Sequence, residues 1–95
     1  MADQSYRLSL APAARRTLNE APPAGPQLAT AAAMGKFLTG ALLDYPQRLG
    51  QPLTRELAAY RAVRRGAYRV VYRIDDDPRT VHVVRIDHRA AFLDS

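Results

Sequence analysis

The stretch YRAVRRGAYRVVYRI, Tyr60 to Ile74, decides how the rest of the chain reads. In its second half Tyr68, Val70, Tyr72 and Ile74 alternate with Arg69, Val71 and Arg73. Alternation at period two marks a strand with one face buried. Tyrosine, valine and isoleucine also favour a pleated, half-buried surface. Gly66, within RRGA, tolerates the positive φ that a tight hairpin turn requires. The segment therefore predicts a first strand over Leu57–Arg64 and a second over Tyr68–Ile74. It also holds five arginines and no acidic residue. Such charge is either a solvated face, with arginine stems covering apolar surface, or a surface for a polyanion.

Downstream, DDDPRT predicts a turn, and TVHVVRID, Thr80 to Asp87, a third strand. The run Asp75–Asp77 lacks the glycine and terminal glutamate of a calcium loop, so it reads as an aspartate-capped turn. The tail HRAAFLDS predicts one helical turn. Upstream, Tyr6, Leu8 and Leu10 alternate with Arg7 and Ser9, another strand pattern. Pro12 suits the first turn of a helix, PAARRTLNEA, which Pro22 and Pro23 end. From Gln27 to Leu43 a second helix is predicted, with Leu28, Ala31, Ala32, Met34, Leu38 and Leu42 on one face. Gly35 and Gly40 within it read as a close approach or a kink. Pro46, Gly50 and Pro52 predict a loop before the hairpin.

The order is β-α-α-β-β-β: an α+β fold with a small, twisted, mainly antiparallel sheet packed against two N-terminal helices. Residues 1–95 are expected to form a single domain, in line with their number. Leu38, Leu42, Leu43, Val70, Tyr72, Val81 and Val83 are the expected core. At 47% hydrophobic and 24% charged, the composition is that of a globular chain. The net charge is +5, and Lys36 is the one lysine among 14 basic residues. Arginine binds phosphate bidentately through a planar fork.

Chemistry is bounded as much by what is missing. There is no cysteine, which excludes disulfides, thiolate metal sites and cysteine nucleophiles. With two histidines and no cysteine, a zinc site is not expected, and neither a metal nor any other cofactor is predicted. His82 reads as a structural residue of the third strand. The opening MADQSYRLSL has no secretory pattern, and no apolar run approaches membrane-spanning length. A cytoplasmic location follows as the expectation. Strand alternation and the hairpin turn suggest one basic cluster of Arg61, Arg64, Arg65, Arg69, His88 and Arg89.

The region Gly50–Phe92, with its hairpin RRGAYRVVYRIDD and closing HRA, resembles the C-terminal half of RelE-type toxins in the RelE/ParE superfamily. The resemblance implies a bacterial toxin of a type II toxin-antitoxin system. It implies an mRNA interferase, an endoribonuclease acting on messenger RNA at the ribosome without a metal. It also implies a cognate RelB-like antitoxin as partner. By motif position, Arg69 and Arg89 match family arginines of the YR and closing strands, and upstream basic residues fall near Arg61, Arg64 and Arg65. On this expectation Arg69, Arg89 and His88 form the catalytic group, and Arg61, Arg64, Arg65 and Arg73 hold RNA. Phe92 and Leu93 stand where many members have a tyrosine, so a tyrosine base is not carried over. Histidine is the side chain that ordinarily titrates near neutrality, which makes His88 the candidate for proton transfer. The alternatives are a ParE-type inhibitor of DNA gyrase and a non-catalytic RNA-binding relative.

Overall fold

A computed structural model of the chain describes residues 6–22 and 25–89. Strand β1 (Arg7–Leu10) leads into helix α1 (Pro12–Asn19). Pro12 opens that helix, where a missing N–H costs nothing, and Glu20 leaves it in extended backbone. Helix α2 (Leu28–Thr39) follows, then two short helices, α3 (Ala41–Asp44) and α4 (Pro46–Leu49). A two-residue strand β2 (Gln51–Pro52) and a 3-10 turn at Arg55–Leu57 precede β3 (Tyr60–Arg65), β4 (Tyr68–Asp76) and β5 (Arg79–His88). The sheet runs β1-β5-β4-β3-β2. Among the described residues only the β1–β5 pair is parallel; the other pairs are antiparallel. The fold is the expected α+β arrangement with the helices N-terminal to the hairpin.

Several boundaries differ from the sequence reading. The first hairpin strand begins at Tyr60, because residues 55–57 close a 3-10 turn instead. The predicted second helix breaks at Gly40, which takes φ −118° and ψ −100°. A Cβ there would lie 2.8 Å from the Lys36 carbonyl, whereas a Cβ on Gly35 would meet nothing within 4 Å. So Gly40 is the break, and Gly35 is not a close approach. The predicted loop at Pro46 contains α4, with proline again in the first turn. Leu28 is 86% exposed and Ala32 is exposed, so the buried face of the helix is narrower than the predicted one. Met34, Phe37 and Leu38 are what α2 buries. Beyond Arg89 the predicted helical turn, with Phe92 and Leu93, lies outside the described residues.

The core cluster joins Met34, Phe37, Leu38, Leu42 and Leu43 from the helices to Tyr68, Val70, Tyr72, Val81, Val83 and Ile86 from the sheet. Every residue expected in the core is buried. Burying one such side chain stabilises by about 1.5–3 kcal/mol, while an exposed ion pair contributes about 0–1 kcal/mol. Apolar alternation therefore fixes which face of the hairpin turns inward, and the β4 arginines, Arg69 and Arg73, take the outward positions. The hairpin loop is Gly66-Ala67, with Gly66 at φ +60° and Arg65 paired to Tyr68. Positive φ at the first of two loop residues matches the twist of the flanking strands. At the other end Asp77 donates its backbone N–H to Asp75 Oδ1 at 3.2 Å, the expected aspartate-capped turn.

One irregularity positions the site. Between β4 and β5 the register runs Val71↔Arg85 and then Tyr72↔Val83, so Val84 is an extra residue on β5. A bulge of this kind switches the phase of alternation. Val81 and Val83 are buried before it, and Ile86 after it. Strict alternation from Val83 would instead have driven Arg85 and Asp87 into the core.

Candidate nucleic-acid interface

The sheet has two faces with different fates. On the helix-covered face lie Arg61, Val63 and Arg65 of β3 and Tyr68, Val70, Tyr72 and Ile74 of β4. On the other face, by register, lie Tyr60, Ala62 and Arg64 of β3, Arg69, Val71 and Arg73 of β4, and Arg85 and Asp87 of β5. None of these open-face residues belongs to the core cluster. Val71 is nevertheless buried. It sits between Arg69 and Arg73 along its strand and opposite Arg85, where arginine stems cover apolar surface while their heads stay near solvent.

Arg64 stands directly across the hairpin from Arg69. Across the next ladder Arg69 faces Asp87, and Arg69 Nη2 lies 3.6 Å from Asp87 Oδ2. Arg85 donates from Nη2 to Asp87 Oδ1 at 3.1 Å. Arg73 lies between Tyr60 and His82 in the same sheet. His82 Nε2 is 3.7 Å from Asp75 Oδ2, a local strand-end contact that fits a structural role.

The expected single basic cluster is split. Arg61 projects to the helix side, where one nitrogen, Nη2, donates to the carbonyls of Gln47 at 2.7 Å and Gly50 at 2.6 Å. Beside it the Tyr72 hydroxyl donates to the Pro46 carbonyl at 2.6 Å. Burial pushes the Tyr72 phenol above its ordinary pKa, and the Arg61 hydrogen bond and charge oppose that shift without cancelling it. These bonds tie the α4 segment to the sheet. Arg65 also faces the helices, with its guanidinium carbon 4.4 Å from the centre of the Phe37 ring. Side-chain period two separates Arg61 and Arg65 from Arg64 and Arg69.

His88 is exposed at the end of β5. It pairs with Tyr68, and their rings meet edge to face with centres 5.2 Å apart. Its position is on the helix side, next to the hairpin loop, whereas its neighbour Asp87 is on the arginine face. Arg89 continues the ladder by donating its backbone N–H to the Ala67 carbonyl at 2.6 Å, and it is exposed. His88 and Arg89 thus flank the end of the sheet rather than one face of it. Arg85 and Asp87 were absent from the sequence-based group. The signal that would have found them is the apolar spacing 81, 83, 86, whose interval of three marks the bulge.

The family described as "ParE toxin of type II toxin-antitoxin system, parDE" matches residues 8–91. The chain belongs to this toxin family. Among curated toxins it is 45% identical over 85 residues to Toxin RelG of Mycobacterium tuberculosis, spanning 90% of this chain and 92% of the relative. It is 39% identical over 89 residues to Toxin RelE of the same organism, spanning 94% and 87%. The toxin-antitoxin complex RelBE2 of M. tuberculosis contains a chain that superposes with a TM-score of 0.77 at 44% identity, covering 90% of this toxin and 99% of that chain. A conserved hypothetical protein of Helicobacter pylori shares the fold at a TM-score of 0.58 and 16% identity, covering 90% and 96%. The RelE/ParE resemblance carried by residues 50–92 therefore extends to nearly the whole toxin chain. No described helix of the toxin is long and apolar enough to cross a membrane.

Proposed function

We propose that this type II toxin is an endoribonuclease that cuts messenger RNA on the ribosome, in the cytoplasm, and is restrained by a cognate RelB-like antitoxin. The observation that carries the reading is the arginine ladder of the open face, Arg64 opposite Arg69 with Arg73 and Arg85 alongside. Identity to toxins named RelG and RelE supports the same branch of the family. The RelBE2 complex supports an antitoxin as partner.

The chemistry asked of the site is modest. The ribose 2′-oxygen attacks the adjacent phosphorus, and its proton goes to a base. The bond from phosphorus to the 5′-oxygen breaks, and that oxygen takes up a proton. The products are a 2′,3′-cyclic phosphate and a 5′-hydroxyl. Arg69 and Arg89 stabilise the negative charge that builds on the phosphate oxygens, the kind of preorganised electrostatics that is often the largest catalytic term. Arg64 and Arg73 hold the backbone along the open face. Arg61 and Arg65 contribute to RNA binding only at the helix-side rim, because their guanidiniums are engaged there. His88 moves the proton from the end of the sheet, which requires the scissile phosphate to lie across the Gly66-Ala67 end rather than at the middle of the ladder. Arginine itself stays protonated and is a poor base.

Primer extension on cellular mRNA shortly after induction tests this reading, beside Arg69→Ala and His88→Ala. New cuts inside translated frames, lost in both variants, are expected. If both variants cut as fast as the parent, the site is elsewhere. The family's ParE description favours a second reading, inhibition of DNA gyrase. Growth arrest with no cut messages is its signature.

A further inference from the structure

On the ribonuclease reading, we propose that Arg85 is a phosphate-binding residue and that Asp87 is a positioning residue, setting the Arg69 and Arg85 guanidiniums against one phosphate. Asp87 uses its two carboxylate oxygens on two different arginines, Oδ2 toward Arg69 at 3.6 Å and Oδ1 toward Arg85 at 3.1 Å. The carboxylate is recessed, with its side chain 12% exposed. The arginine side chains are more open than the carboxylate, 32% exposed for Arg69 and 65% for Arg85. The three groups together carry one net positive charge, the complement of one phosphodiester.

Stability does not account for this arrangement. Partly exposed ion pairs contribute about 0–1 kcal/mol each. Nor does raw attraction for RNA, since a carboxylate on a basic face opposes a polyanion. What a shared carboxylate does supply is direction. Two like-charged forks side by side repel and spread, and an anion between them holds both planes in one place. The bulge at Val84 is what delivers Asp87 to the position opposite Arg69 and keeps Ile86 in the core. A misplacement of about 1 Å in a phosphate-holding group costs up to about a hundredfold in rate.

The test uses the full-length toxin and a 2′-O-methyl oligonucleotide, which presents phosphates but has no 2′-hydroxyl to attack. Binding is followed by fluorescence anisotropy over a series of salt concentrations, and cutting by primer extension in cells. Arg85→Ala is expected to reduce the slope of log affinity against log salt by about 0.7, the value of one single-strand phosphate contact. Asp87→Asn is expected to bind at least as tightly as the parent at low salt, yet to cut about ten- to a hundredfold more slowly. Asp87→Glu is expected to restore part of the rate. An unchanged slope in Arg85→Ala overturns the inference, as does parental cutting by Asp87→Asn. So does a loss of cutting by Asp87→Asn that tracks a fall in melting temperature and is not relieved by glutamate. If Arg69→Ala weakens binding while Arg85→Ala does not, the ribonuclease reading stands and this inference alone falls. If the parent toxin neither binds the oligonucleotide nor cuts messages in cells, both fall together.

Discussion

Arg61 and Arg69 sit on adjacent, paired strands of one hairpin, and they do opposite things. Arg61 turns to the helices and donates to the carbonyls of Gln47 and Gly50. Arg69 turns away from the core and meets a recessed carboxylate on the open face. Their residue type is the same and their register positions are close, since Arg61 pairs with Tyr72 and Arg69 with Arg64. Charge density in a strand therefore says little about use. Side-chain parity relative to the apolar residues decides it, because burial of Val70 and Tyr72 outweighs anything an exposed arginine contributes.

Alanine at each position in turn separates the two roles. Arg61→Ala is expected to lower unfolding stability by about 1.5–3 kcal/mol, since it removes a charged donor from two carbonyls, that of Gly50 part-buried. Arg69→Ala is expected to change stability by less than about 1 kcal/mol. On cutting the order reverses, with Arg69→Ala slower by about a hundredfold or more and Arg61→Ala close to the parent while folded. Urea denaturation of both variants beside primer extension gives the four numbers. A large stability loss in Arg69→Ala, or an activity loss in folded Arg61→Ala as large as that of Arg69→Ala, would mean the two faces are not divided as described.

A smaller effect sharpens the helix-side half. A Cβ on Gly50 would lie 2.6 Å from the Tyr72 hydroxyl oxygen and 3.0 Å from the Ala62 carbonyl. Gly50→Ala must push β2 and α4 away from the sheet, at an expected cost of about 1–3 kcal/mol. The alanine chain should still bind RNA through the open face, measured by anisotropy at a temperature where it is folded.

The smallest effect is a pH dependence. Tyr72 is raised in the folded state by burial, so above its unfolded value of about 10 the unfolded chain loses its phenol proton first. The unfolded state then binds fewer protons than the native one, and stability falls as pH rises from there through the folded pKa. Melting curves between neutrality and strongly alkaline pH should show this decline, and Tyr72→Phe should remove Tyr72's share of it. A decline of equal size in Tyr72→Phe would assign it to other groups.

The sequence determined the hairpin, its Gly66 turn, the inward residues of β4 and most of the core, because Tyr68, Val70, Tyr72 and Ile74 recur at period two and apolar burial dominates the energetics. It also carried the family resemblance, in the RRGAYRVVYRIDD and HRA motifs. Tertiary structure alone decided three things. It split the arginines between two faces, since the parity of β3 is set by pairing with β4 and not by its own mixed pattern. It placed the bulge at Val84, which brought Asp87 and Arg85 to Arg69 through a phase change that strict alternation hides. It gave Arg61 its carbonyl partners in and beside α4, contacts 11 and 14 residues away that only the closing of the chain brings within reach.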